Sequence, residues 1–123
     1  MSAVLRPAPA TLDKYGLSYG EWKAILDRQG GVCGACGRLP PSLKLNIDHE
    51  HVRGWKQMPP EKRKLYVRGL LCFTCNHYRL ARGATPENLR GAADYLAAFL
   101  ARLAASLGSK GGEVSGLGTN GNP

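Results

Sequence analysis

The chain has 123 residues, four cysteines, and 17 basic against 9 acidic side chains, for a net charge of +8. That length gives one domain with a modest core, for which a metal staple is an asset, and the charge favours a polyanionic partner, nucleic acid being the commonest. No apolar run approaches the ~20 residues of a membrane span, and the stretch from Met1 to Pro7 lacks a signal peptide's apolar core, so a soluble intracellular protein with no membrane partner is expected.

Residues 1–14 carry Pro7, Pro9 and Asp13 with little apolar pattern and read as a flexible N-terminal arm. Ser18-Tyr19-Gly20-Glu21 then fits a capping box, in which the serine hydroxyl covers one orphan N–H and the glutamate reaches back to another. Trp22, Ile25 and Leu26 follow at helical spacing until Gly30-Gly31 stops the run; Trp22 is read as core packing in preference to base stacking. Cys33 and Cys36 form a CxxC pair, and Gly34 and Gly37 allow the tight turn that aims backbone N–H groups at the sulfurs.

Leu43, Leu45 and Ile47 alternate along a strand that delivers Asp48 at its end and, with extended geometry continuing, turns His49 and His51 to one side. Arg53-Gly54 opens a turn, residues 58–64 make an exposed basic loop, and a second strand from Leu65 to Leu71 leads into the CxxC pair Cys72 and Cys75. From Thr74 a helix is expected to about Arg82, with Asn76 in its first turn; Gly83 ends it. Thr85-Pro86-Glu87 starts a longer C-terminal helix with Leu89, Ala93, Leu96, Leu100, Leu103 and Leu107 in one seam. That seam either packs on the domain's own core or pairs two copies as a homodimer. The expected division is therefore an arm over 1–14, a zinc-bound domain over 15–107 and a disordered glycine-rich tail over 108–123.

Two close pairs of thiols far apart in the chain are what a tetrahedral zinc site needs, and four thiolates leave no open position, so Cys33, Cys36, Cys72 and Cys75 are read as a structural zinc site. The 35 residues between Cys36 and Cys72 must hold something folded, and the hairpin carrying Asp48-His49-Glu50-His51 is the candidate. Phosphodiester hydrolysis needs an activated water, for which a histidine of near-neutral pKa is suited, and a hard divalent ion to stabilise charge and the leaving oxygen. Asp48 and Asn76 offer that ion oxygen ligands, and His49 lies beside Asp48 to act on the water. Glu50 is expected to face away, and His77 to face solvent or a phosphate backbone. Arg53, Lys62, Arg63, Lys64, Arg68, Arg79 and Arg82 are the candidate DNA contacts, with a solvated surface as the alternative for Lys62, Arg63 and Lys64.

The combination resembles the recombination endonuclease VII family, a branch of the HNH nucleases with the ββα-metal fold. The resemblance rests on Tyr15-Gly16-Leu17-Ser18, on Gln29 to Gly37 around the first cysteine pair, on Ile47-Asp48-His49-Glu50-His51 and on Val67 to Asn76, with Pro86 to Leu96 following more loosely. It implies an α+β fold: a small zinc-stabilised ββα-metal (HNH) domain flanked by an N-terminal helix and a longer C-terminal helix. It also implies structural zinc on the four cysteines, catalytic magnesium or manganese on Asp48 and Asn76, His49 as general base, and His51 near the scissile phosphate. Products with 5′-phosphate and 3′-hydroxyl ends, and a cytoplasmic setting in a bacterial or phage-infected cell, follow from the same resemblance. The family's junction-resolving member has a glutamate three residues after the asparagine; Arg79 stands there in this chain, able to meet a phosphate and unable to ligate a metal. Two other readings use the same residues: a zinc-stabilised module that binds nucleic acid without cutting it, and a protein-interaction domain using the C-terminal helix.

Overall fold

A computed structural model describes residues 3–80 and 83–108. The chain divides into two compact units, 1–82 and 83–123, so a boundary falls inside the span expected as one domain. Arg82 and residues 109–123 of the tail lie outside the described residues. The first unit combines short helices with one two-stranded antiparallel sheet.

The N-terminal segment is not a loose arm. Helix α1 spans Pro9–Tyr15, and Val4 and Leu12 are buried in the core. The Leu5 N–H also donates to the Leu43 carbonyl at 2.8 Å, which ties the segment to the chain entering the sheet. Pro9 occupies the first helical turn, where its missing N–H leaves no bond unmade. Gly16 closes α1 in the left-handed region at φ 74°, with the Leu17 N–H reaching back to the Leu12 carbonyl at 3.0 Å.

Helix α2 spans Tyr19–Arg28 and begins with the capping box expected of Ser18 and Glu21: the Glu21 N–H donates to Ser18 Oγ at 3.0 Å and the Ser18 N–H to Glu21 Oε1 at 2.9 Å. Its inward face buries Trp22 and Leu26, as helical spacing requires.

Strand β1 spans Asn46–His49, later than the alternation of Leu43, Leu45 and Ile47 suggests. Leu43 adopts φ 59° and its N–H closes a turn onto the Pro40 carbonyl, so the chain straightens only after it. A turn at Gly54 and a 3₁₀ turn at Trp55–Gln57 precede helix α3, Pro60–Arg63, and a further 3₁₀ turn over Lys64–Tyr66. The region read as a basic loop and the start of a strand is thus mostly helical turns. Strand β2 spans Val67–Leu71 and pairs with β1 in the register Asn46 with Leu71, Ile47 with Leu70, Asp48 with Gly69, and His49 with Val67. The slip between Asp48 and His49 leaves Arg68 as the extra residue of a bulge, a device that re-aims a side chain.

After Cys72 the chain turns helical, and Cys75–Arg79 is wound as a π-helix closed by the Leu80 N–H on the Cys75 carbonyl at 2.8 Å. An ordinary helix is the sequence expectation here; the wider turn is a feature often found at functional sites. The core of this unit gathers Leu12, Leu17, Trp22, Leu26, Ile47, Leu70 and Leu71 with the buried cysteines. In the second unit, helix α4 spans Pro86–Leu107, with the Thr85 hydroxyl accepting from the Asn88 N–H at 3.0 Å and Pro86 in the first turn.

Candidate functional site

Cys33 and Cys36 lie in the turn after α2, Cys72 follows β2, and Cys75 opens the π-helical turn. Their four Sγ atoms all lie within 4.8 Å of one another, and those of Cys36 and Cys72 are 3.9 Å apart. A tetrahedral site with metal–sulfur bonds of ~2.3 Å has sulfur–sulfur edges of about 3.8 Å, so the four thiols could hold one metal ion. Donors already face the sulfurs: the Ala35 N–H to Cys33 Sγ and the Cys75 N–H to Cys72 Sγ, both at 3.4 Å, and Arg79 Nη1 to Cys75 Sγ at 3.3 Å. Burial raises the Cys33 thiol, but the N–H groups around it outweigh burial and bring it down to about 6. At Cys75 burial, together with the neighbouring sulfurs, outweighs Arg79 and pushes the thiol up to about 12. Four thiolates so close together would repel, and a cation at their centre is what would let all four lose their protons.

The hairpin presents Asp48 and His49 as consecutive residues of β1, so strand geometry turns them toward different surroundings. Asp48 is 5% exposed, and its carboxylate accepts from Arg68 Nε at 2.7 Å and Arg68 Nη2 at 3.0 Å. This pair lines an open cleft of about 360 Å³ with Gln29, Gly34 and Ala35. His49 instead lines a cleft of about 380 Å³ with His51, Trp55, Lys14 and Lys56. Its ring stacks on Trp55 at 4.1 Å between centroids and 22° between planes, and lies 4.8 Å from the ring of His51. Burial, followed by the His51 charge, lowers the His49 pKa, which keeps the imidazole in its neutral, proton-accepting form near pH 7.

Asn76 sits in the π-helical turn, half-buried, and lines a third cleft of about 480 Å³ with Tyr15, Asn46 and His77. Asp48, His49 and Asn76, expected to converge on one phosphate, each line a different cleft. Tyr15 connects them, since it lines the Asn76 cleft, its ring lies 5.6 Å from that of His49, and the Asp48 charge adds to burial in raising its pKa. In donor chemistry Asp48 and Asn76 suit a hard divalent ion. One is a carboxylate that already attracts a cation; the other has an amide with no side-chain partner among the described residues.

The basic residues divide. Arg53 and Lys62 are exposed and lack a side-chain partner among the described residues. Arg63 donates to the Met58 and Asp13 carbonyls at 2.7 and 3.3 Å, Lys64 pairs with Glu21 at 2.6 Å, Arg68 is held by Asp48, and Arg79 reaches Cys75. Glu50 is exposed, and His77 is exposed with its ring stacked on Phe73 at 4.0 Å.

Trp55 and Gln29 were not singled out as site residues by the sequence. A tryptophan four residues after His51 is the signal that could have marked Trp55 as a neighbour of the histidines. Gln29 gives no signal of its own. Its amide donates to the Val32 and Leu70 carbonyls at 2.8 and 3.0 Å and accepts from the Leu70 N–H at 2.9 Å, fastening the first cysteine turn to β2.

Residues 10–98 match the family model of recombination endonuclease VII. The chain is similar to the Gene 59 protein of Mycobacterium phage D29, 41% identical over 88 residues that make up 69% of this chain and 46% of that protein. It is also similar to the Gene 59 protein of Mycobacterium phage L5, 39% identical over 70 residues, 56% of this chain and 36% of that protein. The match thus spans less than half the length of either relative. No solved structure matches the chain.

Proposed function

Because the chain belongs to the recombination endonuclease VII family, we propose that it is a metal-dependent DNA endonuclease of the HNH type, hydrolysing phosphodiester bonds by nicking or double-strand cleavage, with branched DNA as one candidate substrate. The observation that carries this reading is His49: a half-buried imidazole, stacked on Trp55, kept neutral by burial, and adjacent in sequence to a buried carboxylate. A neutral imidazole held in place can take a proton from water. His51, with its ring beside His49, is assigned to the neighbourhood of the scissile phosphate.

Asp48 and Asn76 are assigned to a magnesium or manganese ion, which when bound would supply charge stabilisation for the transition state and leaving oxygen. Zinc on Cys33, Cys36, Cys72 and Cys75 would act as scaffold, with β1, β2 and the turn carrying Asn76 forming the ββα-metal unit around it. Of the candidate contacts among the described residues, Arg53 and Lys62 are the two left free to meet phosphates, because neither has another side-chain partner there. The α4 seam would join two copies, and the protein would work in the cytoplasm of a bacterial or phage-infected cell. Among the described residues no helix is long and apolar enough to cross a membrane.

Two observations favour a second reading, a zinc-stabilised nucleic-acid-binding module that does not cut. The Asp48 carboxylate is engaged by Arg68, and the three proposed chemical groups line separate clefts. Incubation with supercoiled plasmid separates the two. Nicked or linear product is expected with magnesium, none with EDTA, and none from His49→Ala, which should keep its fold and its DNA affinity. Retarded but uncut plasmid with every divalent ion tried would decide for the binding module. Cutting by His49→Ala at the parental rate would remove His49 from its role.

A further inference from the structure

We propose that Arg68 is a positioning residue that competes with the divalent ion for Asp48 and so sets how readily the ion is admitted. The inference rests on the reading of Asp48 as a metal ligand. Its basis is the geometry of one pair. Both carboxylate oxygens accept from the guanidinium, Nε donating to one at 2.7 Å and Nη2 to the other at 3.0 Å. Each oxygen keeps a second lone pair, but an ion that takes it stands against the positive charge of the guanidinium, so ion and arginine compete for one carboxylate. Two-toothed pairing of this kind is geometrically specific, and here it is imposed by the fold. Arg68 is the extra residue of the bulge opposite Asp48 and His49, and its side chain reaches Asp48 from there.

The partners differ in freedom to move. The Asp48 side chain is 6% exposed and that of Arg68 41% exposed, and both line the same open cleft. When an ion arrives, the carboxylate stays and the guanidinium leaves. Until then Arg68 holds the carboxylate in one orientation and neutralises a charge that would be costly to keep buried alone.

Manganese binding to the zinc-loaded full-length protein without DNA, read as free Mn²⁺ by electron paramagnetic resonance, tests this apart from cleavage. Arg68→Gln is expected to bind Mn²⁺ about fivefold more tightly than the parent, the size expected of a half-exposed ion pair. A residue that only supported the fold would weaken binding when removed. Asp48→Asn should lose the site. If Arg68→Gln binds no more tightly than the parent while Asp48→Asn binds nothing, competition is overturned and Asp48 remains a ligand. If Asp48→Asn binds as the parent does, the ligand assignment falls and the inference with it. A second measurement needs no variant at Arg68: in the parent, the Arg68 Nε–H resonance should shift on titration with Mg²⁺. A resonance unmoved at saturating Mg²⁺ would overturn the proposal even where Arg68→Gln fails to fold.

Discussion

Trp55 is 5% exposed and fixed from both ends of its side chain, its ring against His49 and its Nε1–H on the Arg63 carbonyl at 3.2 Å. A flat wall at 4.1 Å restricts the imidazole to one plane, which is worth rate only if the ring must present a nitrogen in a fixed direction. Trp55→Leu removes the wall and keeps an apolar filling; Trp55→Phe restores a smaller wall, and both lose the Nε1–H bond. The leucine variant is expected to cleave DNA about tenfold more slowly at saturating substrate with KM unchanged, and the phenylalanine variant to recover most of that loss. Single-turnover cleavage measures it, and equal rates for leucine and tryptophan would show that the stack positions nothing. At this scale the cysteines and the Asp48-His49 pair were legible because their signal is local spacing. What Asp48 binds was not: Arg68 lies twenty residues on and is aimed by a bulge that neither strand announces.

Among the elements, those closed by short-range bonds could be read directly. The capping box of α2 is an exchange between residues three apart, and it forms as expected. Helix α1 escaped because, among the described residues of its segment, Val4 and Leu12 alone are fully buried, too few to show a period. The strands shifted because their ends depend on the left-handed turn at Leu43 and on the helical turns after Pro60. Gly16 shows how closely these elements meet. It closes α1 at φ +74°, and a Cβ there would lie 2.1 Å from the Pro60 carbonyl oxygen of α3. Backbone strain and overlap with a carbonyl oxygen act together, so Gly16→Ala should destabilise by about 2–4 kcal/mol. Gly20→Ala is the control: it lies in helix α2 with only Ser18 Oγ near, at 3.9 Å, and should be neutral or slightly stabilising. Urea midpoints followed by circular dichroism distinguish them, and equal midpoints would mean that α3 yields to the methyl group.

For the molecule as a whole, the cysteine cluster joins the turn after α2 to the end of β2, two segments brought together across the chain, and its members Cys33, Cys72 and Cys75 are themselves core residues. A core this small leaves little stability to spare, so an ion on four thiolates becomes part of the folding free energy; structural zinc contributes roughly 10 kcal/mol or more in comparable sites, as much as a domain's whole stability. Cys72→Ser substitutes a poor zinc ligand at the end of β2 and should therefore unfold the first unit, whereas Ser substitution at an ordinary buried cysteine would cost only a few kcal/mol. Helix α4 belongs to the second unit, and its helical signal could mask the loss in circular dichroism. Tryptophan fluorescence avoids this, because both tryptophans of the chain, Trp22 and Trp55, lie in the first unit. The expected result is a red-shifted, non-cooperative emission profile for Cys72→Ser and for the parent stripped of zinc by a strong chelator, with recovery on adding zinc only in the parent. A Cys72→Ser protein with parental emission and a cooperative melt, and no bound zinc, would show that the hydrophobic core holds the two segments together without the metal.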